Sequence, residues 1–345
     1  MSLPLVLITG ATGYLGAHVL QQVQEAGYPV RITARPAKVE AAKKLHGDKV
    51  DVVPIADIVD GDFTEAFKGV GALIHTAAPL AGRQEAEGML NSAVKGALNV
   101  ISQAVNAGVK KIVITSSWGT ANDLDRPERT YTDYVFSEKD WNPATREQVL
   151  DGKHHSLWVY CGAKTISEQE VWKYADEHPE VDITSINPPY LYGPLTAGTK
   201  VAKADLGQYS TPGMFHQKVL QDPNSGKQLE FPQFPSPVTV DVRDVAKAHV
   251  LALTSPPSSK VGQKRLLIGG PNWSYRDAVQ LLEKERPELA KAGRLAGLGE
   301  TKRRTITTID STRLKKVLGF KDFIPWEKTI LDMTDNLLEI EKSWE

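Results

Sequence analysis

The sequence holds a single cysteine, Cys161. One thiol excludes an internal disulfide and any zinc or iron–sulfur site built from several cysteines. The eight histidines show no metal-ligand spacing, and His154-His155 reads as a solvated turn, so no metal is expected. Charge bias is also absent. Lys and Arg total 41 against 42 Asp and Glu, a net charge of −1. That balance argues against a nucleic-acid partner, whose footprint is a basic patch. No apolar run approaches the ~20 residues that cross a bilayer. No charged segment followed by a removable apolar one opens the chain. The expectation is a cytoplasmic protein of a reducing compartment, without a membrane partner. There is no internal repeat, low-complexity tract or long linker. At ~100–200 residues per domain, the 345 residues allow one large domain or two smaller ones.

What is present is an alternation. Short β-rich runs at 3–9, 30–34, 50–55, 72–76, 111–115 and 181–187 are separated by stretches with helical spacing. The clearest of these is 88–107, with Leu90, Val94, Leu98, Ile101 and Val105 three or four apart. Strands alternating with helices predict βαβ units and a doubly wound parallel α/β sheet of Rossmann type. After residue 188 the rhythm changes: Pro and Gly become dense (188–194, then 231–237), and separate helices are expected near 241–253, 275–284 and 312–318. The predicted division is a dinucleotide-binding domain, 1–188, and a smaller mixed lobe, 189–345. Segments such as 238–254 are expected to return to the first domain.

The first strand runs into Gly10-Ala11-Thr12-Gly13-Tyr14-Leu15-Gly16, with glycines at intervals of three, and a helix follows. Strand, glycine turn and helix N-terminus together suit a pyrophosphate: the glycines admit backbone N–H groups, and the helix dipole favours negative charge. A plain glycine turn is the bland alternative. NAD-binding folds place an acid ~20 residues beyond such a loop. Here Arg35 stands 19 beyond Gly16, and the first acid after the second strand is Glu40. A guanidinium suits a 2′-phosphate, so NADP(H) is expected over NAD(H). Lys38 is the chosen second cation, with Lys43 and Lys44 as alternatives.

The fifth strand ends in Thr115-Ser116-Ser117, where doubly wound folds bind ligands. Downstream, within a helix expected over 156–175, lie Tyr160 and Lys164, four apart and so on one face. Of ten tyrosines, Tyr160 alone has a lysine at that spacing. A neighbouring ammonium, and the positive charge of an oxidised nicotinamide, would lower the phenol's pKa from ~10. Such a Tyr can donate a proton to a carbonyl oxygen, and Ser117 can hydrogen-bond the same oxygen. Gly162, mid-helix, costs ~1 kcal/mol against alanine, and close approach of a cofactor is one reason to keep it. Cys161, ~100° around the helix from Tyr160, is expected to be packed and inert.

Taken together, these residues resemble the extended short-chain dehydrogenase/reductase family over nearly the whole chain. The resemblance implies a cofactor loop at 10–16 and adenine contacts from Asp57 and Ile58. It implies a cofactor-lining stretch at Thr76, Ala77 and Ala78, within His75–Pro79. It implies a catalytic Ser117, Tyr160 and Lys164. The run 187–194, including Pro188 and Leu191, is similar to the segment whose backbone holds the nicotinamide carboxamide. The run 240–246 resembles a late structural motif. Within the family the likeness is to the dihydroflavonol-reductase branch with its fungal aldehyde, ketone and methylglyoxal reductases. Arg35 and the 136–141 segment with its acids and Trp141 carry that likeness. Which of Ser116 and Ser117 is catalytic depends on alignment; Ser117 is favoured. Trp118 departs from the small residue common there.

The implied activity is NADPH-dependent reduction of a small, apolar or aromatic aldehyde or ketone. Trp118 and Tyr190 are the substrate-contact candidates, with Leu80 behind them. Aromatics of the 118–158 segment equally suit packing of that segment onto the body. A nucleotide-sugar epimerase or dehydratase of the same superfamily would more often hold NAD, against which Arg35 argues. A non-catalytic NADP-binding sensor would lack the Tyr/Lys pair, and a 3β-hydroxysteroid-type dehydrogenase stays open. The family forms monomers or homodimers, the latter through its two long helices.

Overall fold

The computed structural model describes residues 3–220, 238–297 and 307–344. The Pro-rich run at 231–237 lies outside them. The first half alternates as expected: β1 (Leu5–Thr9), α1 (Tyr14–Glu25), β2 (Val30–Ala34), α2 (Pro36–His46), β3 (Asp51–Pro54), β4 (Val70–His75), α3 (Ala86–Asn106) and β5 (Lys111–Thr115). Then follow β6 (Val135–Phe136), α4 (Arg146–Leu150), α5 (Ser156–Glu177), β7 (Asp182–Asn187), β8 (Tyr190–Tyr192), α6 (Thr211–Lys218), β9 (Thr239–Asp241) and α7 (Val242–Ala252). The chain closes with α8 (Ser258–Val261), β10 (Lys264–Leu267), α9 (Tyr275–Glu285), α10 (Pro287–Lys291), β11 (Thr308–Ile309), α11 (Thr312–Leu318) and α12 (Trp326–Glu341).

Seven strands form one parallel sheet in the order β10-β7-β5-β4-β1-β2-β3. The central strands β1, β4 and β5 are apolar on both sides because both faces of the sheet are covered. On β1, Val6 and Ile8 join a core with Val19 and Val23 of α1 and Val242 and Val245 of α7. Leu7 points the other way, into a core with Val100 and Ile101 of α3 and Val171 of α5. α3 and α5 also pack on one another through Leu90, Val94, Val159 and Ala163. The order reverses between β1 and β4, where Thr9 lies opposite His75. Two loops therefore leave the sheet side by side, which opens a crevice at its carboxyl edge.

The elements without a forecast include α2, β10 and α12. α2 follows Pro36 at a helix start. β10 carries Lys264 and Arg265, both buried, and so lacks an apolar signature. α12 has Ile330, Met333, Leu337 and Ile340 at helical spacing and builds a second core with Phe215, Trp273 and Tyr275.

One buried ring gives this fold a pH dependence. His249 of α7 is 0% exposed. Its Nδ1 lies 2.8 Å from the Val245 carbonyl and its Nε2 2.7 Å from the Thr115 hydroxyl. A carbonyl only accepts, so Nδ1 carries the proton and Nε2 accepts from Thr115. Burial lowers the ring's pKa from 6.5 to about 4. The unfolded chain thus binds a proton that the native chain refuses, and stability is lost as pH falls from 6.5 toward 4. A shift of this size corresponds to ~3 kcal/mol. His249→Gln is expected to flatten that loss. Urea midpoints at pH 7 and 4.5 check it, and equal falls in wild type and variant would refute it.

Candidate active site

The glycine turn is pressed onto the exit of β4. Gly10 has a φ of +77°, and a side chain there would lie 2.6 Å from the Ala77 amide. A side chain at Gly16 would overlap the Gly10 carbonyl and lie 2.8 Å from Thr76 Oγ1. Gly13 N–H donates to the Gly10 carbonyl at 2.9 Å, and Thr76 Oγ1 donates to the Thr9 carbonyl at 2.7 Å. α1 then starts at Gly13 with no side-chain cap and no acid in its first turn. Its leading N–H groups and positive dipole end are left for an anion, which fits the diphosphate of a dinucleotide. Thr12 is exposed beside them. Tyr14 and Leu15 can serve only through their backbone. The Tyr14 hydroxyl donates to the Gly193 carbonyl at 2.7 Å, and Leu15 is buried in the core.

Arg35 is the exposed N-cap of α2, beyond the carboxyl end of β2 and beside the glycine turn. Among the described residues neither Arg35 nor Lys38 has a side-chain hydrogen bond or ion pair, whereas Lys43 sits 3.7 Å from Glu40. That leaves Arg35 and Lys38 as the pair open to a phosphate, with Lys44 exposed further along. Asp57 Oδ1 accepts from Val59 N–H at 2.6 Å. Ile58 is fixed to α3: Asn99 donates to its carbonyl at 3.0 Å, and its Cδ1 packs where Gly96 has no side chain.

Ser117, Tyr160 and Lys164 converge beyond the end of β5. Ser117 caps the short turn Trp118–Thr120, its Oγ accepting from Gly119 N–H at 3.0 Å. The Ser117 hydroxyl lies close enough to the Tyr160 phenol to act on its proton. Ser116 faces elsewhere, its hydroxyl donating to Glu168 Oε2 at 2.7 Å. Geometry thus separates the two serines that the motif leaves open.

The expected lowering of the Tyr160 pKa is corrected. Burial pushes the phenol up to about 12, and Ser117 only moderates it. The reason is direction: Lys164 Nζ donates to the Thr115 carbonyl at 3.1 Å rather than addressing the phenol. Burial lowers Lys164 to about 8, with the Glu168 charge one turn on opposing that shift. His75 is kept neutral, lowered to about 3 by burial and then by the Lys164 charge.

Other residues fall differently from their forecasts. Gly162 is needed for packing, since a side chain there would lie 2.6 Å from Val149 Cγ2. His155 is no idle turn residue: its Nδ1 accepts from Trp158 N–H and caps α5, while His154 stacks on the Trp158 ring. Cys161, by contrast, is packed as its forecast had it, buried with its thiol pushed up to about 12. Trp118 is 4% exposed and set edge-on against Phe136, its indole Nε1 buried without a partner among the described residues. Tyr190 is half-buried and Leu80 exposed. The Pro188 carbonyl accepts from Trp118 N–H at 2.8 Å; the Leu191 carbonyl accepts from the Thr211 hydroxyl.

Behind Ser116 and Lys164 lie two buried charges that no motif announces, Glu168 and Arg265. The signal for Glu168 is its position one turn beyond Lys164; Arg265 has none. Among the described residues there is no cluster of His, Cys, Asp and Glu able to hold a metal, and no helix long and apolar enough to cross a membrane.

The family described as NAD dependent epimerase/dehydratase matches residues 6–269. An uncharacterized oxidoreductase of Schizosaccharomyces pombe is 33% identical over 297 residues, 83% of this chain and 84% of that protein. The NADPH-dependent methylglyoxal reductase GRE2 of Saccharomyces cerevisiae is 27% identical over 366 residues, 97% of this chain and 98% of that protein. The crystal structure of yeast methylglyoxal/isovaleraldehyde reductase Gre2 complexed with NADPH superposes with a TM-score of 0.79, at 25% identity, covering 98% of this chain and 99% of that one. The likeness spans sheet, glycine turn and C-terminal lobe alike, and the chain belongs to the NAD dependent epimerase/dehydratase family, the extended short-chain dehydrogenases/reductases.

Proposed function

We propose that this chain is an NADPH-dependent reductase of aldehydes and ketones. The observation that carries the reading is a buried phenol, Tyr160, set beside Ser117 beyond the carboxyl end of the central strand, where burial favours its protonated form. A reductase needs an acid there: as the carbonyl carbon is reduced, its oxygen becomes an alkoxide and takes a proton. Burial keeps Tyr160 in the donating form through neutrality, and Ser117 orients and stabilises the same oxygen. NADPH supplies the hydride when bound. Lys164, anchored on the Thr115 carbonyl, is placed to hold the cofactor ribose. Gly10, Thr12, Gly13 and Gly16, with the amides of Tyr14 and Leu15, take the diphosphate, and Arg35 with Lys38 the 2′-phosphate. Asp57 and Ile58 flank the adenine, and Thr76, Ala77, Ala78, Pro188 and Leu191 line the path between.

The name of the yeast relative, an NADPH-dependent methylglyoxal reductase similar over 97% of this chain, supports the same assignment. Residues 1–188 form the cofactor side and 189–345 the substrate side, with β9, α7 and β10 returning to the first. Tyr190 and Leu80 offer apolar surface to the substrate, and Trp118 backs the serine turn from within its packing cluster.

The test is spectrophotometric, with NADPH and NADH each offered aliphatic and aromatic aldehydes, ketones, diketones and keto-esters. Consumption of NADPH well above NADH with apolar carbonyls is the expected result. Tight NADP(H) binding with no turnover would replace the reading by a sensor. NAD carried through purification would replace it by a nucleotide-sugar enzyme.

A further inference from the structure

Glu168 and Arg265 are each 2% exposed and 3.1 Å apart, Nε to Oε1. A buried ion pair is weak support for stability, since apolar residues of equal volume often serve as well. What distinguishes this one is where its remaining bonds go. The Glu168 carboxylate accepts from the Ser116 hydroxyl at 2.7 Å and the Asn187 amide at 2.7 Å. It also accepts from the Ser185 hydroxyl at 3.1 Å and the Trp172 indole at 3.2 Å. The Arg265 guanidinium donates through Nη2 to Thr120 Oγ1 at 2.8 Å, and Thr120 Oγ1 donates to the Ser117 carbonyl at 2.9 Å. Asn187 Nδ2 reaches the same carbonyl at 3.3 Å. Through Nη1, Arg265 donates to the carbonyls of Glu138 and Asp140 at 2.6 and 2.8 Å, and its Cζ lies 3.8 Å from the Trp141 ring centre. One guanidinium thus grips the Ser117 turn, the catalytic helix and the segment that covers them. Every bond is directional, so the array sets angles as well as distances.

We propose that Arg265 and Glu168 are positioning residues of the reductase, a buried pair that holds the Ser117 hydroxyl in register with Tyr160. The inference rests on the reductase reading above. It places the cause of that register on β10, 105 residues after Tyr160.

The experiment compares wild type with Arg265→Lys, Glu168→Gln and Thr120→Val. Each is assayed for kcat and KM with an apolar aldehyde, for NADPH Kd by fluorescence and for Tm. A misplacement of the serine should lower kcat about 10- to 100-fold. NADPH Kd should stay within about threefold of wild type, since none of these residues borders the glycine turn. Lysine should not rescue Arg265, because a point charge cannot span four acceptors. Glu168→Gln should also move the alkaline limb of the pH profile to lower pH, since Glu168's charge opposes the burial that strips Lys164 of its proton. The other titratable groups facing Lys164 are Tyr160 on its own helix and His75 from β4, and His75 is neutral there.

Variants that keep kcat within about threefold and an unmoved pH profile would overturn the proposal while leaving the reductase reading intact. Full rescue by Arg265→Lys would do the same. If the charge variants fail to fold, Thr120→Val decides alone, because it removes one buried hydroxyl and no charge. Wild type that reduces no carbonyl would remove both readings together.

Discussion

Tyr160→Phe is expected to bind NADPH as wild type does and to turn over about 10³-fold more slowly. The substitution removes one oxygen and keeps the ring in its pocket, so cofactor affinity should hold. What goes is the proton. General acid catalysis by a placed side chain is worth ~10²–10⁴-fold. Ser117 cannot replace it: its hydroxyl can polarise a carbonyl, but an aliphatic hydroxyl is a much weaker acid than a phenol. Steady-state kcat beside NADPH Kd checks the split, and residual turnover above a tenth of wild type would defeat the acid assignment. Because burial holds the phenol near 12, Tyr160 itself stays protonated across neutrality, and the alkaline fall in rate belongs to Lys164, lowered to about 8.

Arg35→Asp is expected to invert cofactor preference, changing the ratio of kcat/KM for NADPH over NADH by about 10²–10³-fold. Arg35 stands exposed at the end of β2, without a partner among the described residues. Charge-assisted hydrogen bonds to a phosphate contribute ~1.5–3 kcal/mol each. An aspartate there removes them, repels a 2′-phosphate and accepts from a free ribose hydroxyl. It should not harm the fold, since Arg35 is the N-cap of α2 and aspartate caps better than arginine. Wild-type preference should weaken as salt is raised, because the site is open to solvent. An unchanged ratio in the variant would show that another residue reads the 2′-phosphate.

The parts of this fold legible in the sequence are those written in short-range patterns. β1, the glycine turn and α1 lie within 21 consecutive residues. Tyr160 and Lys164 are one helical turn apart. The parts that were hidden depend on partners far along the chain. β10 reads as polar because Lys264 and Arg265 are buried only by virtue of Asp182 and Glu168, strands and helices away. The sign of the Tyr160 shift was hidden for a similar reason. Spacing shows that a lysine is near; it does not show that Lys164 is turned toward the Thr115 carbonyl. The choice between Ser116 and Ser117 likewise needed Glu168 in place.

β10 also bears on the timing of assembly. It is the last strand to join the sheet, pairing parallel with β7 after an intervening crossover through β8, β9 and α7. Long-range parallel pairing of this kind forms slowly, after local units. A nascent chain that has emerged only as far as residue 263 already carries the glycine turn, Ser117, Tyr160 and Lys164, yet has no guanidinium to lock the serine turn. It also leaves β7 as an open edge able to pair with another chain. On the positioning proposal above, the lock on the serine turn and the exchange of β7 for the shorter β10 as the sheet's edge strand therefore arrive in the same late step of synthesis.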